Sequence, residues 1–292
     1  MHALAVVRLA EVMKLTSGSP AIVVGLIDGP VALDHADLDT GRLRELRGNA
    51  ACSKGTGTAC THGTFVAGIL SARRSSSAPA ICPDCTLLVC PVFAEWTPGD
   101  HDLPSATPDE LAAAVLECIE AGARVLNLSL ALAHPSSKAE RALEQALDHA
   151  ARRGVLVVAA AGNQGTVGSS SITRHPWVIP VAACDPQGRP IAYTNLSHSA
   201  ARHGLCAPGE DIVSLATGGS TTRLGGTSVA APFVTGTIAL LWSLFPGASA
   251  AQVKLSITQA GATRRRSLVP PLLDAWGAHQ VLAMANLRRR AS

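Results

Sequence analysis

Aromatic residues are scarce, at 3% of the 292 positions with a single tyrosine, so the surface offers no row of rings on which single-stranded nucleic acid would stack. Charge is thin as well. Only 15% of residues are charged, 24 basic against 21 acidic for a net +3, and so weak a field draws neither nucleic acid nor an anionic membrane. No apolar run approaches the roughly 20 residues that cross a bilayer. A secretion signal is missing too: Arg8 and Glu11 interrupt the opening MHALAVVRLAEVMKL, and no small-residue cleavage site follows convincingly. A short amphipathic helix is the expectation for residues 1–20, and the cytoplasm is the expected compartment.

Apolar residues, by contrast, make up 47% of the chain, and the mean hydropathy is +0.26. That content excludes a disordered or fibrous protein, and a chain of this length buries a sizeable core without metal or disulfides. Eight cysteines stand at 52, 60, 82, 85, 90, 118, 184 and 206. Cys82-x2-Cys85 followed by Cys90 has the start of a zinc spacing, but a second ligand pair would have to come from Cys52 and Cys60 or a histidine. Bridges between Cys52 and Cys60, or Cys82 and Cys90, are open alternatives; in a reducing compartment small buried or free thiols are the default. No compact Asp-rich loop marks a calcium site, but scattered carbonyl ligands leave no sequence signal, so structural calcium stays open; no other cofactor is expected. The runs Arg264–Arg266 and Arg288–Arg290 read as solvated surface.

Along the chain, continuous apolar runs rich in β-branched residues recur at 21–28 (AIVVGLID), 86–93 (TLLVCPVF), 124–130 (RVLNLSL), 154–161 (GVLVVAAA) and 177–183 (WVIPVAA). Such runs fit strands covered on both faces. Helical patterns lie between them at 62–74, 108–123 and 137–154, the second with Thr107 as N-cap before Pro108, and Gly122 and Gly154 stand at expected stops. Strand and helix at this rhythm predict an α/β fold, a mostly parallel sheet flanked by helices, with function at the carboxyl ends of the strands. The loops at 48–61, 73–84, 94–107 and 163–176 are too short to link domains.

Four segments place a chemically useful group beside glycine at the edge of an apolar element. Asp28 ends the first strand in Gly25-Leu26-Ile27-Asp28-Gly29-Pro30. His62 opens a helix in Thr61-His62-Gly63-Thr64. Asn163 follows a buried strand in Ala160-Ala161-Gly162-Asn163, and Ser228 opens a long apolar helix in Gly226-Thr227-Ser228-Val229-Ala230-Ala231-Pro232. Each alone is an ordinary cap or turn residue. Together they are the parts of nucleophilic acyl transfer: a serine, an imidazole to take its proton, an acid to hold the imidazole in one tautomer, and an amide for the oxyanion. Asp34 and Asp37 are nearby competitors for the acid, but only Asp28 directly ends the strand.

HGTFVAG at 62–68, VVAAAGNQG at 157–165 and GTSVAAPFVTG at 226–236 resemble the histidine, oxyanion and serine motifs of the subtilisin-like serine peptidases, in that family's order of Asp, His, Asn, Ser. The resemblance covers roughly residues 20–284. It implies a three-layer subtilisin-like fold, with residues 21–284 as the peptidase domain, 1–20 as a short helical segment and 285–292 as a basic tail. It also implies roles: Asp28 orients the base, His62 is the base, Ser228 is the nucleophile and Asn163 is the oxyanion donor. Leu128, Ser129, Leu130, Ala161 and Gly162 would bind a peptide substrate laid down as an added strand.

Departures from the family pattern are Gly29-Pro30 after the acid, where Ser or Thr then Gly is usual, Phe65 in the helix after His62, and Ala131 where a glycine is common. The Asp-Gly-Pro-Val variant and the short segment ahead of the first strand resemble the cyanobactin-type processing peptidases, which trim or cyclise ribosomally made precursors. Residues 75–107 look too short and loop-like for the helical lid of the cyclising members, which favours cleavage. A macrocyclase and a non-catalytic peptide-binding homologue are the alternatives.

Overall fold

A computed structural model describes residues 2–46, 52, 57–92, 106–129, 140–260 and 267–291. Seven parallel strands form one sheet: β1 (Val23–Asp28), β2 (Leu43–Glu45), β3 (Thr86–Pro91), β4 (Val125–Leu128), β5 (Leu156–Ala160), β6 (Val178–Cys184) and β7 (Leu205–Pro208). Their order across the sheet is β2-β3-β1-β4-β5-β6-β7. A separate antiparallel hairpin pairs β8 (Ile212–Leu215) with β9 (Thr221–Leu224).

The helices are α1 (His2–Val6), α2 (Leu9–Leu15), α3 (Thr58–Ser71), α4 (Pro108–Glu120), α5 (Arg141–Arg153), α6 (Ser171–Arg174), α7 (His198–His203), α8 (Thr227–Leu244), α9 (Ala250–Gln259) and α10 (Ala275–Ala291). Helix α4 starts at a capping box in which Thr107 accepts from Glu110 N–H and Glu110 reaches back, while α5 ends on Gly154 in the left-handed region.

Side chains alternate across the sheet, and the two faces bury separate cores. Val24, Leu26, Val125, Val158 and Ile179 pack with α3 and α8 on one face, whereas Ile27, Leu88, Leu126, Leu128 and Val157 meet α4 and α5 on the other. Strands covered on both sides must be apolar throughout, which is why each was visible as a continuous run. Helix α8 is long and apolar enough by length and composition to span a bilayer, but 83% of that stretch is buried inside the fold. A helix hydrophobic all round needs such an enclosure.

The first segment packs Leu9 and Val12 into the larger core, and Arg8 binds Asp274 at 3.0 Å. Helix α10 runs through the basic stretch after residue 284 to Ala291. Cysteine usage departs from the thiol default at one place: Cys52 and Cys60 are bridged, with Cα atoms 5.6 Å apart. Cys82, Cys85, Cys184 and Cys206 are buried thiols, so Cys82 does not pair with Cys90. Among the described residues no cluster of three or more His, Cys, Asp or Glu gathers to hold a metal.

The strand order reverses around β1, which was joined first to its β3 side and then to its β4 side. At such a switch point the carboxyl ends of neighbouring strands diverge and leave a crevice. Asp28, the last residue of β1, stands there.

Candidate active site

Asp28 is fully buried. Its Oδ1 accepts from Gly29 N–H at 2.6 Å and from His62 Nδ1 at 2.7 Å. A carboxylate is an acceptor only, so this contact places the imidazole proton on Nδ1 and leaves the Nε2 lone pair facing outward. Ser228 Oγ lies 3.0 Å from Nε2 and donates to it. The structure therefore brings together three residues 34 and 166 positions apart along the chain, and the competitors Asp34 and Asp37 take no part in the contact. His62 sits in the second turn of α3 rather than opening it, because the helix begins four residues earlier at Thr58.

Burial penalises the charged form of His62, but the adjacent Asp28 charge and its hydrogen bond outweigh that, and the pKa lies above the ordinary 6.5. The second carboxylate oxygen of Asp28 is buried without a partner among the described residues. The residue types explain this: Gly29 has no hydroxyl and Pro30 has no N–H.

A side chain at position 29 is sterically excluded. A Cβ there would lie 2.1 Å from Ala59 O, in the first turn of the helix that carries His62. That same turn holds Cys60, bridged to Cys52. Gly29→Ala is therefore expected to push α3 away from β1, costing about 1–3 kcal/mol by overpacking and lowering turnover as His62 leaves Asp28. Thermal denaturation and initial rates check both; wild-type values of each would show that the contact yields freely.

Asn163 is exposed at the end of β5. Its Oδ1 accepts from Thr227 N–H at 2.9 Å and Thr227 Oγ1 at 3.1 Å, which turns Nδ2 the opposite way. Thr227 also ties down the neighbouring backbone, its Oγ1 accepting from Gly162 N–H at 3.1 Å. Gly226 makes the approach possible: it has φ of 127°, and a Cβ on it would sit 2.9 Å from Asn163 Nδ2. Ser228 N–H belongs to the first turn of α8, where amides lack intrahelical acceptors and the helix end carries positive potential. Thr227 was not singled out from the sequence as a site residue. The signal available was a hydroxyl-bearing residue between Gly226 and Ser228.

The expected substrate strand is only partly described, since Leu130 and Ala131 lie outside the described residues, as do most of the 94–107 loop and the Arg264–Arg266 run. Leu128 points into the core beneath α4 and α5, and Ser129 is buried with its hydroxyl on the backbone of Ser228. Strand β4 is central, paired to both β1 and β5 as far as Leu128, so neither side chain lines an open groove and a peptide would meet this segment through backbone. Ala161 is half-buried, Gly162 is buried, and Ala161 N–H is already given to Val181 O at 3.0 Å.

A model described as the subtilase family matches residues 19–275. Subtilisin DY of Bacillus licheniformis is 32% identical over 239 residues, covering 80% of this chain and 81% of that protein. Among solved structures, a point mutant of the protease domain of PatA superposes with a TM-score of 0.84 at 32% identity, over 92% of this chain and 97% of the other. The prenylagaramide maturation protease PagA gives 0.82 at 30%, over 94% and 98%.

Proposed function

Because the chain belongs to the subtilase family and is a subtilisin-like serine peptidase, we propose that Asp28, His62 and Ser228 are its catalytic relay and that it cleaves a ribosomally made precursor peptide. The observation that carries the relay is the pair of contacts at 2.7 Å and 3.0 Å running through one imidazole. His62 Nε2 takes the Ser228 proton as Oγ attacks the scissile carbonyl, and imidazolium forms against Asp28. Asn163 Nδ2 and Ser228 N–H receive the charge on the former carbonyl oxygen. His62 then protonates the leaving amine, and a water repeats the sequence on the acyl-serine to release an acid.

The precursor-peptide reading is supported by likeness over more than nine-tenths of the chain to the protease domain of PatA and to the prenylagaramide maturation protease PagA, at 30–32% identity. Incubating the protein with precursor peptides encoded beside its gene tests the reading. Fragments carrying one added water are expected. Products lacking that water would assign a macrocyclase, and no conversion by a phosphonate-reactive enzyme would discard the precursor as substrate.

The pH dependence has a definite sign. Only neutral His62 accepts a proton, and its pKa is raised above 6.5, so kcat/KM is expected to fall as pH drops through a midpoint above 6.5. Stability runs the other way: the charged pair's contribution is fully present below 6.5 and is lost as pH rises through the folded-state pKa. Rate and denaturation profiles from pH 5 to 9 check the opposed trends. A rate that is flat across this range would remove His62 as base.

A further inference from the structure

The last requirement of the proposed relay is that the Ser228 backbone stay still while its side chain reacts, and the first turns of α8 lack one of the bonds that would hold it. Pro232 lies inside the helix. In an α-helix the N–H of residue i serves the carbonyl of residue i−4, and proline has no N–H, so the carbonyl of Ser228 is the one left without its helical donor. The structure supplies another. Ser129 Oγ donates to Ser228 O at 2.9 Å.

Ser129 is itself held from behind. Asn127 Nδ2 donates to Ser129 Oγ at 2.6 Å, and Thr235 Oγ1 donates to Asn127 Oδ1 at 2.8 Å. Asn127 and Thr235 are 0% exposed and Ser129 3%. Once Ser129 Oγ accepts from the amide, its single proton has one direction left, toward Ser228 O. Thr235 is seven residues beyond Ser228, on the same face of α8, so the chain of bonds pins that helix to β4 at two points. A polar side chain such as Asn127, buried within the apolar strand VLNL, carries a desolvation cost that packing alone does not repay.

Resting on the catalytic reading of Ser228, we infer that Ser129, Asn127 and Thr235 are positioning residues that replace the helical bond removed by Pro232 and thereby set the direction of the nucleophile. None of the three touches substrate through this chain of bonds.

The test is a cycle of variants read by the second-order rate of fluorophosphonate labelling at Ser228, by kcat and KM on a peptide, and by Tm. Ser129→Ala is expected to slow labelling and kcat by about ten- to a hundred-fold, the scale of a misplaced reacting group, with KM little changed. Thr235→Val, which leaves Ser129 in place and also removes the longer 3.3 Å contact of the hydroxyl with Ala231 O, should give a smaller loss in the same two quantities. In Ser129→Ala/Pro232→Ala the restored helical N–H can take the vacant carbonyl, so the double variant should recover most of the rate lost in Ser129→Ala. Losses that simply multiply in the double variant, or lowered Tm in Ser129→Ala and Thr235→Val with wild-type labelling well below it, overturn the inference. Absence of any adduct on the unmodified protein would instead defeat the catalytic reading, which keeps the two failures apart.

Discussion

Ser228→Ala is expected to lower kcat/KM on a peptide substrate by about a million-fold, or about 8 kcal/mol of transition-state stabilisation. The magnitude is subtilisin's own, carried over from a relative and not obtained from this geometry. The direction follows from the site: with Oγ gone, His62 Nε2 has nothing to deprotonate at 3.0 Å, and only slow attack by water remains in the same oxyanion site. Because the hydroxyl acts through His62, His62→Ala should cost a similar factor and the double variant little more. Ser228 is half-buried and the change removes one oxygen, so Tm is expected to stay near wild type. Fluorophosphonate labelling, read by intact mass, should vanish in Ser228→Ala and persist in a control at exposed Ser75. Persistent labelling and turnover in Ser228→Ala would place the nucleophile elsewhere.

Asn163→Ala should cost about 10²–10³ in kcat, or about 2.7–4 kcal/mol, again on the scale of the corresponding amide in subtilisin. Here the geometry adds a reason for the loss to fall on kcat rather than KM. Both Thr227 donors hold Oδ1 of Asn163, so its Nδ2 is oriented before substrate arrives and meets full charge only when the carbonyl oxygen becomes an oxyanion. Labelling by a fluorophosphonate, whose phosphoryl oxygen occupies the same recess, should slow in parallel. An Asn163→Ala enzyme as impaired as Ser228→Ala would make the amide structural, since loss of one oxyanion donor leaves the relay intact.

Much of this was readable along the chain. Strands β1, β3, β4, β5 and β6 were legible because a sheet covered on both faces admits only apolar residues, and α4 was legible at both ends because Thr107, Pro108 and Gly122 are local signals acting within one turn. β2 was not, having only three residues at the sheet edge, of which Arg44 and Glu45 are exposed, nor was the β8–β9 hairpin, whose β9 residues Thr221–Leu224 are only partly covered. The start of α3 was misplaced because Gly57 caps it without a side-chain bond. The bridge between Cys52 and Cys60 was one of two pairings that spacing allowed, and compartment argued against both.

Sequence alone determined which groups the site contains and the order in which they come, because a nucleophile, a base, an acid and an amide donor are fixed by residue type and their glycine-flanked settings by local backbone demands. Tertiary structure decided what each group faces. It set Asp28 against His62, turned Asn163 by means of Thr227, drew Leu128 and Ser129 away from an open groove, and set Ser129 under the carbonyl that Pro232 leaves unserved. Those outcomes depend on hydrogen bonds between residues up to 166 positions apart, whose lengths and directions exist only once the sheet and its helices have packed.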